Sequence, residues 1–190
     1  MLRIMAAHTN APLDIEALMD RIRSDLARPV KRRPIGQVPS IGAPYTLGNL
    51  LRFGAGGDAE PFLGAGWSHA EDGFRWTDGD LAALAFSFER PPGELMLSFT
   101  ARPLLAAGVT CQRVSALWDG TPIGDWTISD SKAYHALILS PEFSGNPVHV
   151  LEFLIRDAFS PSSKNIGADS RRLGLAFTNL ALRSSHELGF

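Results

Sequence analysis

The chain has 190 residues, 45% of them hydrophobic, and its 18 Lys and Arg against 20 Asp and Glu leave a formal charge of −2. That is the length of one domain with enough apolar residues to bury a core, and its charge balance is not the strongly basic footprint of a nucleic-acid binder. The single cysteine, Cys111, excludes a disulfide framework within the chain and reads as a small core hydrophobe.

The first segment, up to Glu16, has no apolar run long enough for a secretory signal and no cleavage pattern after it. No window approaches the apolar length of a membrane span. The expectation is a soluble, cytoplasmic protein.

Residues 1–28 contain a predicted amphipathic helix. Ile15, Leu18, Met19, Ile22 and Leu26 recur at helical spacing and form one stripe. Asp14 suits the N-cap, Arg28 suits the last turn, and Pro29 ends the segment. Such a stripe must be covered, by its own domain, by a second copy or by a partner.

Residues 29–44 carry Pro29, Pro34, Pro39 and Pro44. Prolines at that interval forbid a helix or a central strand, so the segment reads as an extended arm, reaching tens of ångströms at about 3 Å per residue. The basic run Lys31–Arg33 within it reads as a solvated linker.

Residues 45–190 change to short strands separated by Gly, Pro, Asp and Asn. Leu95, Leu97, Phe99 and Ala101 alternate with Met96, Ser98 and Thr100; Leu173, Leu175 and Phe177 share a face, with Ala181 further along it. Period-two runs of this kind predict a mainly β protein, a jelly-roll-like antiparallel β-sandwich preceded by the α-helix and the proline-rich arm. Strands do not alternate with helical segments, which argues against a doubly wound α/β fold. The glycine-rich runs at Gly54–Gly57 and Gly64–Gly66 do not continue into Gly-Lys-Ser/Thr, so tight turns account for them better than phosphate binding.

The histidines at 8, 69, 135, 149 and 186 lack metal-ligand spacing, and no cofactor or metal is expected. Asp72, Asp78 and Asp80 lie close enough together to raise calcium, against the plainer reading of a polar turn. No GxSxG element is present. A carboxylate pair, Glu71 and Asp169, would suit glycoside hydrolysis if the two loops met. Arg171 and Arg172 beside Asp169 favour instead an ion-paired clasp between the loops. Four tryptophans, Trp67, Trp76, Trp118 and Trp126, are each either a core residue or a stacking surface for a sugar ring, with one or two at most expected to be exposed.

Gly66, Trp67, Ser68, Glu71, Trp76, Thr77 and Gly79, followed near the C-terminus by Ser160, Pro161, Asp169, Arg171, Leu173 and Gly174, form a pattern with a known likeness. It resembles a β-sandwich domain common in bacterial surface-polysaccharide gene clusters, where it accompanies glycosyltransferases and related enzymes. That family often has a proline before the glutamate, and this chain has Ala70. The segment Leu18–Pro29 is similar to the leading helix of many enzymes from such clusters. The resemblance implies a non-catalytic accessory protein of exopolysaccharide or lipopolysaccharide assembly that binds a glycan or docks on a glycosyltransferase. It supplies no catalytic residues. The site it implies is rimmed by Trp67, His69, Glu71, Trp76, Asp169 and Arg171. The same residues read equally as a clasp with both tryptophans packed inward. A hydrolase or lyase using Glu71 and Asp169 is the enzymatic alternative, and a scaffold that oligomerises through the N-terminal helix is the structural one.

Overall fold

The computed structural model describes residues 42–89, 93–139 and 148–184. The predicted helix within residues 1–28 and all but the end of the proline-rich arm lie outside the described residues.

The described chain is a β-sandwich of two sheets. In chain order the strands are β1 (Ala43–Pro44), β2 (Leu51–Arg52), β3 (Trp67–Glu71), β4 (Phe74–Asp78), β5 (Leu81–Ser87), β6 (Leu95–Pro103), β7 (Gln112–Trp118), β8 (Thr121–Ile128), β9 (Lys132–Ile138), β10 (Val148–Ile155) and β11 (Leu173–Ser184). One sheet runs β1-β5-β10-β7-β8; the other has six strands, in the order β3-β4-β11-β6-β9, with β2 also paired to β11. All pairings are antiparallel except β1 with β5, which is parallel. The sandwich therefore begins inside the predicted arm, at Ala43–Pro44. Pro44 is tolerated there because it sits on an edge strand.

Alternation explains the faces. In β6 the residues Leu95, Leu97, Phe99 and Ala101 are buried while Met96, Ser98, Thr100 and Arg102 point outward. Phe153 of β10, in the facing sheet, and Phe177 of β11, the neighbouring strand, place their rings 5.1 and 5.3 Å from Phe99. All three rings are fully buried, each stabilising the fold by roughly 1.5–3 kcal/mol through lost apolar exposure.

Twelve-residue β11 is the spine of the larger sheet, pairing with β2, β4 and β6. Its register with β6 shifts between Phe177 and Asn179, so Thr178 is an extra residue. A bulge reverses the parity of the faces beyond it. Leu180 and Leu182 therefore point into the core, and Ala181, expected on the face of Phe177, sits opposite Ser98 on the other side.

Tyr45 ties the chain's entry to this spine. Its hydroxyl accepts the N–H of Leu182 at 2.9 Å and donates to the carbonyl of Asn49. Burial pushes the phenol's pKa above its ordinary value.

Candidate functional site

The stretch Gly66–Asp80 is not a loop but mainly a hairpin, β3–β4, at the margin of the six-stranded sheet. Gly73, at φ +76°, makes the tight turn. Gly66, at φ +85°, is required for a second reason: a Cβ there would lie 1.7 Å from the carbonyl oxygen of Leu81. The chain then enters β3 pressed against β5.

Alternation in β4 sends Arg75 and Thr77 inward and Phe74, Trp76 and Asp78 outward. Thr77 is fully buried, and its hydroxyl accepts the N–H of Leu175 at 3.0 Å. Arg75 is buried and paired with Glu60, which pins the short 3-10 turn Glu60–Phe62 against the hairpin. In β3 the register with β4 shifts between Trp67 and Ala70.

The two tryptophans of the hairpin therefore have different fates. Trp67 faces the core, its ring 4.9 Å from Phe53 and 5.2 Å from Phe177. Its indole N–H donates to the Ala83 carbonyl at 2.8 Å and so joins the two sheets. Trp76 lies half-buried on the outer face, edge-on to Phe74 at 5.8 Å. Of the remaining pair, Trp118 is buried and stacked on His149, and Trp126 packs edge-on against Phe99. Trp118's neighbour His149 is held by the Asp119 carboxylate at 2.7 Å.

Four of the expected site residues do meet. Asp169 accepts the backbone N–H of Arg171 at 2.8 Å and the Arg171 Nη2 at 2.6 Å. The same Nη2 reaches the Glu71 carboxylate at 3.4 Å, and Nη1 lies 3.4 Å from His69 Nδ1. A guanidinium only donates, so Nδ1 accepts at this contact and the imidazole carries its proton on Nε2. The hydrogen bonds from Arg171 hold the Asp169 carboxyl below the usual carboxylate range, and Asp169 in turn raises the pKa of Arg171. Arg171, Glu71 and Asp169 each keep about a third or less of the side chain in solvent, at 27%, 30% and 31%. Their polar atoms thus remain reachable by a ligand.

Arg172 engages the other end of the hairpin. Its Nε donates to Asp80 at 2.7 Å and its backbone N–H to Asp78 at 3.1 Å. Two of the three carboxylates considered for calcium are therefore drawn to one arginine. Glu71 and Asp169, the pair considered for hydrolysis, share another. A general acid needs its carboxyl pKa raised, and that of Asp169 is lowered.

Two residues of this surface were not expected from the sequence. Phe74 shares the outer face of Trp76. Arg102, across the sheet on β6, lays its guanidinium over the Phe74 ring at 4.3 Å and within 5.6 Å of Trp76. The alternation in "FRWTD" would have found Phe74; Arg102 could be placed only once β11 was known to lie between β4 and β6.

No family model and no curated protein matches this chain. Among solved structures, the chain is similar to the C-terminal domain of EclA, a sugar-binding protein, at 10% identity and a TM-score of 0.37, covering 56% of this chain and 68% of that one. It is similar to the CBM36-1 domain of a multidomain xylanase from the hindgut metagenome of Trinervitermes trinervoides at 12% identity and a TM-score of 0.41, covering 70% and 94%. It is also similar to a family 35 carbohydrate-binding module from Clostridium thermocellum at 12% identity and a TM-score of 0.36, covering 72% and 99%.

Proposed function

We propose that this protein is a non-catalytic, glycan-binding β-sandwich that serves bacterial surface-polysaccharide assembly. The observation that carries the reading is the outer face of the β3–β4 hairpin. There a half-buried indole, Trp76, shares its face with a partly solvated constellation of Glu71, His69, Asp169 and Arg171. A saccharide needs both an apolar surface for its C–H face and fixed donors and acceptors for its hydroxyls. Trp76 supplies the first. Arg171 supplies donors, Glu71 and Asp169 supply acceptors, and the His69 Nε2 proton is a further donor. Trp67 supports the site from beneath as part of the core.

The charge state argues for binding over hydrolysis. Asp169 is ionised and committed to Arg171, which suits an acceptor and not a proton donor. The amphipathic segment of residues 1–28 would then connect this binding domain to a glycosyltransferase or to a second copy, through its apolar stripe.

A glycan array probed with the wild-type protein and Trp76→Ala tests the reading. Binding by the wild type that is lost in the variant, with thermal unfolding little changed, is the expected result. A wild-type protein that retains no glycan would sink the proposal.

A further inference from the structure

Four of the eight described arginines are bonded to carboxylates: Arg75 to Glu60, Arg113 to Asp157, Arg171 to Asp169 and Arg172 to Asp80. Arg156 donates to Ser115. The guanidinium groups of the other three, Arg52, Arg102 and Arg183, make no hydrogen bond or ion pair with the described residues. All three emerge on the outer face of the six-stranded sheet, where register places them. Arg52 is opposite Asn179, Arg102 opposite Ala176, and Arg183 opposite Met96. His135, opposite Ser98, lies on the same face.

Nothing on these strands neutralises them. β6, β9 and β11 contain no Asp or Glu at all, in a chain with 20 acidic residues. Lys132 is drawn off toward Asp130, at 3.2 Å. Asp58 is the acidic neighbour at one end, and it is bonded to the backbone N–H of Arg52 at 2.6 Å. Between the arginines the outward positions are small: Ser98, Thr100 and Ala181, with Asn179. The middle of the face is therefore a low floor of small, mostly hydroxyl and amide groups bordered by unpaired cations, with the larger Met96 and Leu137 beside Arg183. Beside Arg52 and Asn179 it opens into a hollow of about 270 Å³.

We infer that the bound saccharide is anionic, a uronate-bearing or otherwise acidic glycan, and that it runs from Trp76 across this face. The inference rests on the glycan-binding reading above and adds the charge of the ligand. Arg102 is the anchor. Stacked on Phe74 and close to Trp76, its guanidinium is held with its in-plane donors unused, the arrangement that takes a carboxylate in bidentate fashion next to a stacked ring. Arg52 and Arg183 give further charge along the face. Unpaired like charges on one face repel each other, and an anionic ligand relieves that repulsion while gaining charge-assisted hydrogen bonds.

The test is affinity electrophoresis of the full chain through polygalacturonate and through the same polymer after carboxyl reduction, at low and high NaCl. Expected is retardation roughly tenfold or more stronger in the acidic polymer, abolished by salt and by R102Q, and weakened by R52Q and R183Q. The charge-matched control on the other sheet, R113Q, keeps wild-type retardation. All these side chains are exposed, so circular dichroism is expected to report unchanged folds. Equal retardation in both polymers overturns the anionic inference and leaves glycan binding standing. No retardation in either, together with a blank glycan array, removes both. Stronger retention by poly(dT) than by polygalacturonate also overturns the inference, because the face then reads nucleic-acid phosphates.

Discussion

Trp67 and Trp76 belong to one hairpin, both half-buried, yet they belong to different parts of the protein's physics. Trp67 opens β3 facing inward, against Phe53 and Phe177, with its N–H bonded across to the other sheet. Trp76 faces outward from β4, with Phe74 and Arg102 as its aromatic and cationic neighbours among the described residues. The difference is parity. In a strand every second residue changes face, so one step along the pleat decides whether an indole holds the sheets together or meets a ligand. Degree of exposure alone does not separate the two; what the ring edge and the N–H touch does.

Truncating each side chain makes that contrast measurable. Trp67→Ala is expected to cost about 3–5 kcal/mol, because it opens a cavity between the sheets and removes the indole's bond to the Ala83 carbonyl. Chemical denaturation checks this, and a loss under about 1 kcal/mol would mean the ring is not a core element. Next come the two hydroxyls that satisfy β11. Thr77→Val and Tyr45→Phe each leave a buried N–H, of Leu175 or Leu182, without its acceptor, at an expected cost of about 1–3 kcal/mol. Trp76→Ala is expected to cost only about 1 kcal/mol while removing glycan retention. If Trp76→Ala unfolds the protein while Trp67→Ala binds normally, the assignment of faces is reversed.

Much of the fold was legible in the pattern of the chain, and the reasons are local. "ELMLSFTA" alternates without interruption, and β6 keeps that alternation from Leu95 to Ala101 before running on to Pro103. The parity of β11 was legible only as far as Phe177, because a bulge leaves no mark that hydrophobicity alone reveals. The β3–β4 hairpin was read as a turn-rich loop, since Asp72, Gly73 and the polar run before it mask two short strands. Within the site, Glu71, Asp169 and Arg171 were legible as complementary charges on separate segments. Arg102 was not, since its partners Phe74 and Trp76 are brought to it by a sheet order that skips through β11. Local chemistry was visible in the sequence, while non-local strand order decided which chemistries share a surface.

The smallest expected effect concerns the charges that frame the two regions. Asp169 is held low by Arg171, and on the other sheet Asp157 is held low by the hydrogen bonds from Arg113. A carboxyl whose pKa is depressed by folding binds fewer protons in the native state than in the unfolded state. Its contribution is complete above the unfolded carboxylate value of about 3.9 and is lost as pH falls through the lower native value. Thermal stability from these two groups is therefore expected to be level from neutral pH to about pH 5 and to decline below about pH 4. Asp157→Asn should flatten part of that decline without touching glycan binding, since Asp157 lies with Arg113 on the five-stranded sheet side. Asp169→Asn should flatten its own part and also weaken glycan retention at neutral pH, because it alters the acceptor beside Arg171. Identical binding by the two variants, measured at pH 7 where both are folded, would separate Asp169 from the glycan site and leave it as a structural partner of Arg171 alone.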